Sequence, residues 1–331
     1  MRYALGLSLA PNAVGLALSA FGHATRFQST RRSLFGAESP SELLGVAWTT
    51  VCDILARWDA RPDTITSVAL SLAGHADASG RPSGGAWPAA WQGADIVGWA
   101  RTQFGCEVTC ITGLDLILRR VAPSQREETS LVVWIDDELV AALGPQRIRL
   151  GQMTPGLLAL SLPPARPSLA DLVTSTALLA RWQLAQMSRQ AARDRAREQF
   201  GESSRSDSLA NRVTPKSSDE LLSLAVRDDE LARAIVSDAA VAIAWGCAQL
   251  QACLPGYREI VLAGPLTDLP PELFLDPVRR IVHDWLALTA GPVVRVTALP
   301  RGRDALLEEL VEVALLRTMT GLRVHDAGAA E

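Results

Sequence analysis

Apolar residues run through the first half of the chain in short bursts, each closed by turn formers. In residues 3–19 they flank Ala10-Pro11-Asn12 and resume through Val14, Leu16 and Leu18, which reads as strand, tight turn, strand. A third strand is expected at Ala24–Ser29. A helix should start at Ser39-Pro40-Ser41-Glu42 and run to about Trp58, with Pro40 in the first turn. Thr64–Leu72 is rich in β-branched residues and reads as a strand ending at Ala73-Gly74-His75. The Gly, Pro, Ser and Trp of residues 76–92 predict a long loop. A helix over Ala94–Phe104 and a strand over Glu107–Ile111 follow. Three further strands are expected, at Thr129–Ile135, Leu139–Leu143 and Arg147–Leu150.

The second half carries longer helical periods. Helices are predicted over Ser168–Ala196, Asp219–Leu254, Pro271–Leu288 and Asp304–Thr320, with strands at Glu259–Ala263 and Val293–Thr297 and a frayed tail from Gly321. Residues 198–219 are polar and poor in bulky apolar groups, so a flexible insert is expected there. Alternating strands and helices in both halves predict an α/β protein with mixed sheets.

Composition narrows the function classes. The chain has 331 residues, 48% of them hydrophobic, and a formal net charge of −4. It shows no basic block, so binding of nucleic acid through phosphate neutralisation has no support. The most apolar helical window, Ala234–Leu254, contains Asp238, Gln249 and Gln251 and reads as a buried helix, not a membrane span. No extended apolar leader follows Arg2, and the five cysteines are scattered and odd in number, so reduced thiols and a cytoplasmic location are expected. Cys106 and Cys110 lack a second ligand pair, and no metal site is expected.

Four segments, in order, resemble the ROK family (repressors, open reading frames and sugar kinases). They are the opening hairpin; Val68–His75; Ala90-Trp91 through Cys106–Ile111; and Tyr257–Thr267 through Leu275–Ile281, which is similar to the family's strand, Gly-rich adenosine-side turn and helix. The resemblance spans roughly residues 3–320. It implies the two-lobed actin-like, ribonuclease-H-like fold around a central cleft. The first lobe would cover residues 1–122 and the second 123–331, with the last helix returning to the first lobe. It further implies a homodimer. Family repressors carry a helix-turn-helix ahead of this fold, whereas this chain starts at the hairpin, so DNA binding is not expected.

The positions that carry chemistry in the family differ here. Active members have Asp-x-Gly-Gly-Thr in the hairpin to hold metal and phosphate. The corresponding places fall on Ser8, Ala10, Pro11 and Asn12, and Pro11 has no N–H to offer an anion. The family's Glu-Asn-Asp, with its general base, falls on Thr112, Gly113 and Leu114. Asp115 lies one residue later, either a substitute base or a first-turn partner of the helix dipole. The second phosphate loop corresponds to Asp136-Asp137-Glu138, read as a solvated turn, or as ligands to a divalent cation. Gly264 occupies the adenosine-side turn. The family's Glu-x-Gly-His falls near Leu158–Ser161, and no cysteine cluster for zinc follows.

The remaining candidates are His75, at the cleft position of the family, and the tryptophans Trp87, Trp91 and Trp99, whose faces could stack on a sugar or pack in a core. Function is therefore expected to be non-catalytic: a pseudokinase that binds a small carbohydrate-like ligand or a protein partner as a regulator or scaffold, with no cofactor. His75, Trp91 and Asp115 are the ligand-binding candidates. The alternative is an ATP- and Mg²⁺-dependent sugar kinase, glucokinase-like, with Asp115 as base.

Overall fold

The computed structural model describes residues 2–10, 13–21, 27–33, 39–73, 75–76, 80–83, 87, 89–121, 130–136, 138–143, 146–148, 168–200, 214–254, 256–289, 291–299 and 302–328. Two five-stranded sheets organise them. The first contains β1 (Tyr3–Ala10), β2 (Ala13–Ala20), β3 (Phe27–Ser33) and β4 (Ile65–Leu72), with a short antiparallel pair, β5 (His75–Ala76) and β6 (Pro82–Ser83), beyond it. With β7 (Glu107–Cys110) its order is β3-β2-β1-β4-β7. The second sheet consists of β8 (Ser130–Ile135), β9 (Leu139–Leu143), β10 (Gln146–Ile148), β11 (Glu259–Ala263) and β12 (Arg295–Ala298), ordered β10-β9-β8-β11-β12. Each sheet is an antiparallel meander extended by parallel strands on the far side of its first strand. One topology thus occurs twice.

Pleating divides each sheet's residues between two cores. In the first sheet Leu5, Leu7, Leu9, Val14, Leu16, Leu18, Val68 and Leu70 face α1 (Pro40–Arg57) and α2 (Ile96–Phe104). The other face is small: Ala4, Ala17 and Ala69 join a middle layer with α3 (Gly113–Val121) and α9 (Gly302–Gly328). The second sheet sends Val132, Trp134, Val140 and Val261 into that same layer. Its opposite face, with Leu131, Val133, Ile260 and Leu262, packs into the core containing α4 (Ala170–Val173), α5 (Ser175–Phe200), α6 (Ser218–Val226), α7 (Glu230–Cys253) and α8 (Leu275–Leu288).

The last helix crosses back to the first sheet, where Gly6 and Gly15 make room for it. A Cβ at Gly6 would lie 2.8 Å from the Leu310 Cβ, and one at Gly15 would lie 3.2 Å from Leu307. The buried Ser67 hydroxyl donates to the Ala314 carbonyl at 2.7 Å and accepts from Thr318 Oγ1 at 2.7 Å, which pins the helix in place.

Several elements depart from the pattern reading. The third strand lies at Phe27–Ser33, later than Ala24–Ser29, because its register follows β2. The helix expected from Ser168 is broken at Thr174, whose ψ of 152° is extended. The helical region from Asp219 is broken at Asp228, which has φ +65°. The final helix continues beyond Thr320 to Gly328 rather than fraying at Gly321. Of the expected insert, residues 198–200 end α5, residues 201–213 lie outside the described residues, and α6 already begins at Ser218. Glu230–Cys253 is long and apolar enough to cross a membrane, but 61% of its most apolar window is buried, and it packs against α8 as a core helix.

Candidate functional site

In α/β sheets the crevice outside the carboxyl ends of the parallel strands is where ligands bind. Here that crevice lies between the two sheets. Ser8, Ala10, Ala13 and Gly15 of the opening hairpin line it, with Ser71 and Ala73 from the end of β4. Gly113 at the start of α3, Leu306 of α9, and Trp134, Asp136 and Glu138 around the β8–β9 turn complete the wall. It encloses about 30 Å³, room for about two water molecules. Trp134 is 3% exposed, and its indole nitrogen would be 3.3 Å from a Cβ on Gly113; Leu306 would be 3.2 Å from the same point. A side chain at Gly113 would crowd the indole, which lines the crevice.

Asp136 is held firmly. Its carbonyl accepts the Ser175 N–H at 2.8 Å, its Oδ1 accepts the Ser175 hydroxyl at 2.7 Å, and its own N–H donates to the Glu138 carbonyl at 3.0 Å. Ser175 is the first residue of the 26-residue α5, whose Thr174 Oγ1 accepts from the Ala177 N–H. The carboxylate therefore sits at a helix N-terminus, where aligned peptide dipoles favour negative charge. This corrects the solvated-turn reading of Asp136, which is half-buried and tied to a helix. Asp137 lies outside the described residues.

Asp115 stands apart from the crevice wall. Its N–H donates to Thr112 Oγ1 at 3.1 Å, and Thr112 Oγ1 donates to Asp115 Oδ2 at 2.8 Å. This is a helix-capping exchange between residues three apart, with the carboxylate in the positive first turn.

Gly264 closes the far end of β11 with φ +129° and ψ −179°, a conformation essentially confined to glycine. A Cβ there would fall on the Ile135 carbonyl oxygen, so the turn presses its backbone against the end of β8.

Trp91 is 0% exposed in the first-sheet core, its ring 5.3 Å from that of Trp87. Trp87 donates its indole N–H to the Ala73 carbonyl, and Trp99 packs edge-on against Phe104. These rings are packing, and Trp91 is out of reach of a molecule in the crevice. His75 pairs through its backbone with Ser83. Pro11, Asn12 and Leu158–Ser161 lie outside the described residues. Among the described residues, no group of three His, Cys, Asp or Glu side chains is placed to hold a metal ion.

The structure thus brings Ser8 and Asp136 together at one crevice and leaves Asp115, Trp91 and Gly264 in structural roles. Pattern reading passes over Trp134, Ser71 and Leu306. The usable signal is the pleat: Ser8 and Ser71 are register partners on neighbouring strands, and Trp134 falls on the same face of β8 as Val132.

No protein-family model matches the sequence, and no curated protein matches it. Solved structures do. A ROK family glucokinase from Streptomyces griseus, in complex with glucose and AMPPNP, is similar over 95% of this chain and 99% of that one, with a TM-score of 0.63 at 14% identity. The chain has the ROK sugar-kinase fold. The ROK hexokinase from Thermus thermophilus covers 96% of this chain and 100% of its own, with a TM-score of 0.52 at 18% identity. A ROK family transcriptional regulator, a homologue of the E. coli MLC protein, covers 95% of this chain and 78% of its own, with a TM-score of 0.58 at 14% identity. The fold is therefore shared by kinases and by a regulator.

Proposed function

We propose that this chain is a non-catalytic member of the sugar-kinase fold, a pseudokinase acting as a regulator, scaffold or binding protein for a small carbohydrate-like molecule. The observation that carries this reading is the small crevice between the sheets, about 30 Å³, lined by Trp134 and Leu306 and by the acidic Asp136 and Glu138. A kinase of this fold would hold a nucleotide triphosphate there, and unless a divalent cation bridges them the carboxylates of Asp136 and Glu138 repel its phosphates. Two like charges 4 Å apart repel by about 4 kcal/mol at an effective dielectric of about 20. The chain's own carboxylate already lies on the α5 N-terminus, the place at which backbone N–H groups would otherwise meet a phosphate.

Asp115 gives the kinase alternative little support, because its carboxylate accepts the hydroxyl of Thr112, the residue that caps the same helix. A thermal-shift screen of mono- and disaccharides tests the binding reading. A ligand at a hundredfold excess over its dissociation constant stabilises by about 2.7 kcal/mol. Stabilisation by a sugar without turnover of ATP supports a binding protein, whereas ATP-dependent phosphorylation of any sugar overturns the proposal.

A further inference from the structure

The crevice between the sheets is rich in hydrogen-bond acceptors. Ser8 and Ser71 are register partners on the parallel strands β1 and β4. Their neighbours Leu7, Leu9, Leu70 and Leu72 point into the first-sheet core, so the pleat turns both hydroxyls to the other face, where they line the crevice. Adjacent strands lie about 4.8 Å apart, which sets the two hydroxyls side by side. Ser71 is 3% exposed, and its hydroxyl has no hydrogen-bond partner among the described residues. A buried hydroxyl left in that state costs free energy that a bound polar group recovers.

Asp136 and Glu138 line the same space. Asp136 accepts the Ser175 hydroxyl through Oδ1, and a carboxylate can accept several hydrogen bonds at once. Among the described residues that line the crevice there is no Lys, Arg or His. The group that matches this lining must donate several hydrogen bonds, carry positive charge and be small, because about 30 Å³ admits only about two water-sized atoms.

A divalent cation matches poorly. Mg²⁺ keeps several of its waters and Ca²⁺ takes about six to eight oxygen ligands. Among the described residues no three His, Cys, Asp or Glu side chains are placed to hold either. A primary ammonium group matches on each count: three N–H donors, no acceptor and one positive charge. Ala10, Ala13 and Leu306 supply an apolar wall for the carbon that bears it.

The geometry points to the crevice as a subsite for a protonated primary amine. The inference rests on the small-ligand reading above, and with it the ligand is an amino sugar whose ring stays at the crevice mouth. Hydrogen bonds from an ammonium to a carboxylate are about twice as strong as neutral ones, so the amine is favoured over a hydroxyl at the same place.

Thermal-shift titrations of the full chain with glucosamine, glucose, N-acetylglucosamine, methylammonium and Mg²⁺ test it, at matched ionic strength and about pH 6, below the titration range of an amine. Glucosamine is expected to bind at least about tenfold more tightly than glucose or N-acetylglucosamine. Ser71→Ala and Glu138→Gln, each judged against its own ligand-free melting temperature, should weaken glucosamine about tenfold and leave the response to glucose unchanged. Equal affinity for glucosamine and glucose overturns the ammonium subsite while the carbohydrate-binding reading stands. A response to methylammonium and to no sugar supports the subsite and overturns the carbohydrate reading. A response to neither amine, or amine binding that survives both substitutions, overturns the subsite. Stabilisation by Mg²⁺ alone overturns it in favour of a metal site.

Discussion

At the residue scale, the fold depends on positions that leave no room for a side chain. Gly264 is the sharpest case, since an alanine there meets both a forbidden φ of +129° and the Ile135 carbonyl. Gly264→Ala should lower the unfolding free energy by more than about 2 kcal/mol, measured by urea denaturation. Thr112→Ala removes the acceptor for the Asp115 N–H and should cost about 1 kcal/mol. The cysteines give a reactivity test. Burial pushes the Cys247 thiol up to about 12, and burial together with the nearby Glu107 carboxylate pushes Cys106 up to about 11, while Cys253 is exposed. At pH 8 a disulfide-exchange reagent should therefore label Cys253 first in the native protein, the half-exposed Cys106 far more slowly, and the buried Cys247 only after unfolding. Residue roles are unevenly legible in the sequence. The first-turn position of Asp115 can be read from its spacing to Thr112, whereas Asp136 reads as solvent-facing because its partner, Ser175, is 39 residues away. Trp134 is overshadowed in the sequence by the three acidic residues that follow it closely.

At the scale of elements, long runs with strong periods are legible and their interruptions are not. The hairpin of β1 and β2, the helix capped by Ser39, and β4 follow from local pattern and capping chemistry. The break at Asp228 is invisible to periodicity because apolar residues continue on both sides, and Asp tolerates a left-handed backbone. Strand β3 carries Arg31 and Arg32, so its extension beyond Ser29 follows only from pairing with β2. The placement of α9 depends on the small face of the first sheet. Gly6→Ala should force it outward and cost about 1–3 kcal/mol, read from thermal unfolding. The same helix carries Glu309, 8% exposed, whose carboxyl is raised above its usual value by burial and by Glu312 against the opposing pull of Arg120 and Arg119. A carboxyl raised in the folded state binds its proton more tightly there, so it lowers stability as pH rises from the ordinary carboxylate value through the raised one. Glu309→Gln should accordingly raise the melting temperature at pH 7, and the gain should shrink as the pH is lowered towards 4.

At the scale of the whole molecule, the two-sheet architecture is legible because four weak segments fall in the right order, and the solved structures of this fold agree over 95% of the chain. The repetition of one sheet topology in both halves is not legible, since it survives in strand order and not in sequence. Nor is the narrowness of the crevice, which needs Trp134, Gly113 and Leu306 to be brought together from three elements. The central proposal is that this chain keeps the fold without binding a nucleotide in the crevice. Isothermal titration calorimetry of the purified full chain with ATP and Mg²⁺, in the presence and absence of glucose, tests that claim most directly. The account predicts no heat of binding at millimolar nucleotide; a dissociation constant in the micromolar range, about −8 kcal/mol, would contradict it.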